Sequence, residues 1–247
     1  MAGRHNIPTH FVKRLDLSKH HSPKIHGNSE QMNPLYTAES VKIPDAIKKK
    51  IERGSKLDLE LGCGNRKRHL EAIGIDSLAY DGVDIVGDIF SILKQFPDES
   101  IEAVYAYHCI ELLNDLVAVM EQLCRILVKN GKLLIVVPHF SNSHYYSNAH
   151  YYSGQAYRQA FGLYTFSYLA KDELFLLRCP TYQRSLCFEI EKVKLVFKSP
   201  KPLYGRWDIK KVVQWFVNLN RYTMEFYEEN LCWLIPCYKI IYELRRS

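Results

Sequence analysis

The chain has 247 residues, of which 47% are hydrophobic and 24% charged, and its net charge is +6. These are ordinary globular values, and they exclude a disordered, collagenous or coiled-coil chain. No apolar run is long enough to span a bilayer as a helix.

The charge is unevenly placed: net +6 over residues 1–56, −5 over 57–179 and +5 over 180–247. An acidic centre between basic flanks suits either a catalytic core whose flanks face an anionic partner or a solvated surface. Met1-Ala2-Gly3-Arg4-His5 has no apolar stretch behind it, so no secretory signal is predicted. The seven cysteines are scattered, with no CxxC pair. This predicts small buried thiols in a reducing cytoplasm.

Residues 1–40 are polar, rich in His and Lys, and lack periodicity, which predicts an irregular arm ahead of a domain over 41–247. Ile43-Pro44-Asp45 opens a helix that runs to about Arg53, with Gly54 just past its end. Short apolar runs then predict strands at Leu57–Leu61, Ala72–Ile75, Val83–Val86 and Ile101–Tyr107. Leu116–Leu127 is predicted helical, with Val117, Met120, Leu123, Cys124 and Leu127 on one face. Asn130-Gly131 is a turn before a fifth strand, Lys132–Val137. Strands alternating with helical connections predict a parallel sheet covered on both faces. Beyond Pro138 the chain is crowded with Tyr, His, Ser and Phe. Strand-like runs at Leu186–Phe197 and Tyr238–Leu244 then enclose a basic, aromatic segment over 198–230, expected to form a helical cap.

The most informative stretch is Leu57-Asp58-Leu59-Glu60-Leu61-Gly62-Cys63-Gly64-Asn65. A strand ends in an acid and then in Gly-x-Gly, where missing side chains let backbone amides approach a ligand. An acid two residues before the first glycine repels a pyrophosphate but accepts hydrogen bonds from an amino-bearing, cationic ligand. The third position of a dinucleotide fingerprint is Lys67, not glycine, which disfavours nicotinamide and flavin enzymes.

These residues resemble the first motif of the class I S-adenosylmethionine-dependent methyltransferases. Gly74-Ile75-Asp76 resembles the end of their second strand, and Gly87-Asp88-Ile89 their third-strand motif. Tyr107-His108-Cys109-Ile110-Glu111 stands at the fourth strand's end, where one subgroup has a His-x-x-Glu-His run. Leu112 replaces the last His, so a role assigned there does not transfer. The ending Glu229-Asn230-Leu231-Cys232-Trp233-Leu234-Ile235-Pro236 is similar to bacterial methyltransferases found with surface-polysaccharide genes.

The resemblance implies a Rossmann-like α/β fold with a C-terminal helical, aromatic insertion and S-adenosyl-L-methionine as methyl donor. It places Glu60 toward the donor's methionyl amine, and Gly62, Cys63 and Gly64 at its backbone cradle. Asp76 falls at the ribose, Asp88 and Ile89 at the adenine, and His108 close by. Eleven residues separate Gly64 from Asp76, so the usual first helix is clipped or irregular. Arg66, Lys67 and Arg68 in that connection face either solvent or an anionic substrate.

Ligands of open α/β sheets bind beyond the carboxyl ends of the strands, so the His- and Tyr-rich segment after Pro138 starts beside the donor. Methylating a hydroxyl requires removal of its proton, and histidine suits that near neutral pH. The candidates are His139, His150 and His108, each also readable as a structural histidine. His150 matches a histidine found after the fifth strand in the resembling subgroup. No HxH or HExxH spacing exists, so no metal is predicted.

The reading is a cytoplasmic methyltransferase that O-methylates a sugar hydroxyl in surface-polysaccharide synthesis. Two rivals stand beside it: an RNA methyltransferase using the basic flanks, although no RNA-binding module is recognisable, and a non-catalytic donor-binding protein. Oligomeric state is not legible. Finally, Val212, Trp215, Phe216, Leu219, Thr223 and Phe226 recur at helical spacing, widened by Val213, Val217 and Tyr227, with Lys210, Lys211 and Arg221 nearby. This face is either a cap packed on the sheet or a peripheral membrane contact.

Overall fold

In the computed structural model of the protein, the described residues are 42–142, 159–170, 174–175, 187–199 and 204–247. Seven strands form one sheet in the order β3-β2-β1-β4-β5-β7-β6. They are β1 (Asp58–Leu61), β2 (Ile73–Asp76), β3 (Ile85–Val86), β4 (Ile101–Tyr107), β5 (Leu127–Pro138), β6 (Phe188–Val196) and β7 (Lys239–Arg246). The first five run parallel, and β7 lies antiparallel between β5 and β6. The 1–40 arm lies outside the described residues, as does His150.

Local chemistry sets the helices. The first, α1 (Asp45–Glu52), follows Pro44, has Asp45 in its first turn and Lys49 and Lys50 in its last, and ends before Gly54 at φ 66°. Asp88 caps α2 (Ile89–Leu93) through Ser91 N, and Asp115 caps α3 (Leu116–Ile126) through Ala118 N. The buried side of α3 is Leu116, Val119, Met120, Leu123 and Ile126. Val117 and Cys124, expected on that side, are only half-buried. Between β6 and β7 stand α4 (Tyr204–Val217) and α5 (Arg221–Asn230). The long helical pattern of this region is broken at 218–220, where Asn220 and Thr223 form a reciprocal capping box that starts α5.

Three expectations need correction. The connections from β1 to β2 and from β2 to β3 form turns, not helices, so the alternation of strand and helix begins only after β3. Asn130-Gly131 does not precede the fifth strand but lies within it. Leu127 pairs with Ile101 and Lys132 with Ala103, so the residues between bulge out, with Asn130 at φ 64°. Cys124 on α3 and Cys187 before β6 are joined in a disulfide rather than standing as thiols, while Cys63, Cys109, Cys232 and Cys237 are free and buried.

Candidate functional site

The glycine motif sits at the carboxyl end of β1. Gly62 and Gly64 both have positive φ, 62° and 56°, which side chains rarely adopt. They differ in surroundings. A Cβ on Gly62 would lie 2.6 Å from Cys109 Cβ, so this glycine lets the end of β4 close over β1. A Cβ on Gly64 would meet nothing within 4 Å. Gly64 therefore borders open space, a cradle of the kind a ligand fills.

The backbone N–H of Gly64 donates to Asp76 Oδ2 at 2.8 Å, and Leu78 N donates to Asp76 Oδ1 at 3.0 Å. Asp76, partly exposed at the end of β2, is thus oriented beside the cradle and keeps lone pairs for hydroxyl donors. Gly87 N donates to the carbonyl of Asp76 at 2.9 Å, which ties the third motif to the second. Asp88 is exposed at the start of α2, and Ile89 behind it is buried. The residues expected at the ribose and the adenine are thereby brought to one edge of the sheet.

Glu60, expected at the donor's amine, is buried and turned toward its own loop. Its carboxylate accepts from Arg68 N at 2.9 and 3.0 Å and from His69 N at 2.7 Å. It holds the connection after the glycines in place of a helix. Cys63 is buried, and burial together with Asp76 and Glu60 pushes its thiol up to about 11, so it stays protonated. Of the three cations here, Lys67 pairs with Asp84 at 2.7 Å, Arg68 lies over the Tyr107 ring at 4.1 Å, and Arg66 is exposed. Asp84 also accepts from Gly74 N at 2.7 Å.

The described histidines differ. His108 ends β4 at φ 52° and is 27% exposed, and its Nδ1 lies 3.5 Å from Glu111 Oε1. Glu111 is 1% exposed, and among the described residues its Oε2 receives no hydrogen bond. His139 is fully buried. Ser141 N donates to its Nδ1 at 3.1 Å, so that nitrogen accepts and the ring N–H is Nε2. Nε2 lies 3.8 Å from Glu228 Oε2, whose carboxylate accepts from Leu163 N. Both ring nitrogens of His139 thus face protein groups, and the geometry ties the end of β5 to α5. Sequence reasoning gave Glu111 and Glu228 no role. For Glu111 the signal was its place three residues after His108.

A cleft of about 430 Å³ opens between the start of α3 and residues 159–169. Asn114, Thr165 and Tyr168 give it polar groups, and Leu116, Val117 and Leu169 an apolar wall. Among the described residues, no group of three His, Cys, Asp or Glu side chains is placed to hold a metal ion.

A family model described as a methyltransferase domain matches residues 39–172, more than half of the chain. No curated protein matches. Among solved structures, the chain is similar to phosphoethanolamine N-methyltransferase 2 of Haemonchus contortus in complex with S-adenosyl-L-methionine, at 17% identity and a TM-score of 0.47. The match covers 78% of this chain and 48% of that one, so the chain spans about half its length. It is similar also to a SAM-dependent methyltransferase from Archaeoglobus fulgidus, at 15% identity and a TM-score of 0.48, covering 82% of this chain and 94% of that one. A putative methyltransferase from Bacillus halodurans matches at 13% identity and a TM-score of 0.46, covering 82% and 99%. With its glycine cradle and strand-end acids on one edge of the sheet, the chain belongs to the methyltransferase-domain family.

Proposed function

We propose that the chain O-methylates a sugar hydroxyl in surface-polysaccharide synthesis. The observation that carries this is the cleft at the start of α3, which begins three residues after Glu111. Asn114, Thr165 and Tyr168 offer hydrogen bonds to hydroxyls, and the apolar wall beside them suits the face of a sugar ring. Gly62, Gly64, Asp76, Asp88 and Ile89 hold the donor in this reading, with Cys63 packed beneath and Glu60 shaping the loop. Bound there, S-adenosyl-L-methionine supplies an electrophilic methyl group. His108, positioned by Glu111, takes the acceptor's proton. His139 keeps the end of β5 in place, and His150 is a further candidate for the base.

Such acceptors are assembled on lipid carriers, so the enzyme works beside the cytoplasmic face of a membrane. The outward apolar surface of α4 and α5 supports that peripheral contact. Among the described residues, no helix is long and apolar enough to cross a membrane.

The test is mass spectrometry of surface polysaccharide from cells with and without the gene, paired with transfer of labelled methyl to that polysaccharide by purified protein. Loss of a methyl-mass increment on deletion, and its return in vitro, is the expected result. An unchanged polysaccharide would reject the acceptor.

A further inference from the structure

The apolar stripe of α4 faces away from the sheet. Ile209, Val212, Trp215, Phe216 and, just beyond the helix, Leu219 recur at helical spacing and are all exposed. The inward side carries buried Val217 together with Gln214 and, just beyond the helix, Asn218, which hydrogen-bond the backbone of Phe197 and of Leu195 in β6. The helix therefore has its apolar residues outward, the reverse of an ordinary surface helix. Tyr222 and Phe226 on α5 are exposed too, with ring centroids 6.3 Å apart, and so are Trp233, against Phe140 at 5.6 Å, and Leu234 in the turn after α5.

All three tryptophans of the chain belong to this surface: Trp207, Trp215 and Trp233 are 46%, 68% and 73% exposed. A surface this rich in apolar residues marks an interaction site. Its charges indicate the partner. Arg206, Lys211 and Arg221 are exposed around it, and Lys211 Nζ lies 5.2 Å over the Trp207 ring. Two carboxyls of α5 turn inward, Glu225 to the Tyr164 hydroxyl and Glu228 to Leu163 N, which leaves Asp208 and Glu229 as the exposed acids. Tryptophan and tyrosine rings favour the bilayer interface, and an amphipathic helix with basic residues beside its apolar face lies in that plane.

We propose that α4, α5 and the 233–234 turn form a membrane-interface anchor for an anionic bilayer. The outward rings enter the headgroup layer, and Arg206, Lys211 and Arg221 meet lipid phosphates. The purpose of the anchor rests on the lipid-linked acceptor proposed above, while its evidence is the exposed surface itself.

The experiment is flotation of the full chain with vesicles of phosphatidylcholine alone and of phosphatidylcholine with phosphatidylglycerol, at low and high salt. Tryptophan emission is recorded alongside, and it reports this surface directly because no other tryptophan exists. The expected result is flotation with anionic vesicles, a blue shift of emission, and weaker binding to neutral vesicles and in high salt. The double variant W215S/F216S should lower partition by about tenfold or more with an unchanged circular dichroism spectrum, since both side chains are exposed. R206E/K211E should weaken binding to anionic vesicles by about fivefold or more per residue and leave the neutral ones little changed. No flotation with either vesicle overturns the anchor. So does flotation that neither double variant reduces, or a dimer without vesicle binding that W215S/F216S dissociates. Flotation with no methylation of polysaccharide would instead remove the acceptor and leave the anchor standing.

Discussion

Asn218 satisfies both backbone groups of Leu195 with one side chain. Leu195 N donates to Asn218 Oδ1 at 2.9 Å, and Asn218 Nδ2 donates back to Leu195 O at 2.8 Å. Gln214, one turn earlier, accepts from Phe197 N at 3.0 Å. β6 is an edge strand, and an open edge is a template for unwanted pairing. The amides of α4 cover part of that edge, which is why the helix's polar side faces in and its apolar side faces out. Asn218→Ala leaves a donor and an acceptor of Leu195 unmet. It should cost about 1–3 kcal/mol in urea denaturation. Asn218→Asp keeps the acceptor for Leu195 N but sets a carboxylate oxygen against the carbonyls of Leu195 and Gln214, so it should cost at least as much. If Asn218→Ala unfolds at the wild-type midpoint, the pairing contributes nothing.

Gly64 and Gly62 should respond differently to a side chain. Both need a left-handed backbone, so any L residue costs about 1–2 kcal/mol there. At Gly62 an added methyl also overlaps Cys109, so Gly62→Ala should destabilise well beyond that. At Gly64 a side chain enters open space, so Gly64→Val should keep most of the stability and lose donor affinity by tenfold or more, on the order of a blocked subsite. Calorimetry with S-adenosyl-L-methionine, beside a thermal melt, separates the two. Full donor affinity in Gly64→Val would place the donor elsewhere.

The strand-end motifs proposed to hold the donor were legible as a geometric set because they are short, local signals. Gly62, Gly64, Asp76 and Asp88 each follow a strand that the apolar pattern predicts, and parallel pairing then brings them to one edge. What stayed hidden depends on long-range packing. Glu60 reads as a ligand acid, yet its oxygens are taken by amides eight and nine residues on, because the loop there has no helix to satisfy them. His139 and Glu228 stand far apart in sequence and meet only when α5 docks beside β5. The stripe of α4 shows its period in the sequence, but period alone does not say which side faces the sheet. That was decided by Gln214 and Asn218, two polar residues that the apolar count ignores.

Lys239, the first residue of β7, carries a pH-dependent cost. Burial first, then Arg68 and Lys198, hold its ammonium below the usual lysine value of 10.5. The unfolded chain therefore binds the proton more tightly than the folded one, and stability rises with pH across the interval between the lowered value and 10.5. Below that interval the charged lysine costs its full amount. Lys239→Met should thus stabilise the protein at neutral pH, and its advantage should shrink as pH climbs toward 10.5. Denaturation midpoints of both proteins across this range are the measurement. An advantage that stays constant with pH would assign the effect to packing instead.

His108 and His139 should separate into a rate effect and a stability effect. His108 follows β4, is partly exposed and faces the buried Glu111, and in the proposed mechanism it is the base. His139 is enclosed, with Nδ1 accepting from Ser141 N and Nε2 directed at Glu228. Removing a general base lowers rate by about 10²–10⁴-fold. His108→Ala should show a loss of that size with donor affinity kept within a few-fold. Glu111→Gln should lower the rate less, because it leaves the imidazole and changes only its partner. His139→Ala should lower the melting temperature, since it leaves Ser141 N without its acceptor and a gap in a fully buried position, and should change rate far less once folded protein is counted. The measurement is single-turnover methyl transfer on each variant beside its thermal melt. A full rate in His108→Ala would transfer the base role to His150 or show that none is needed. A rate loss in His139→Ala at unchanged stability would return that role to the end of β5.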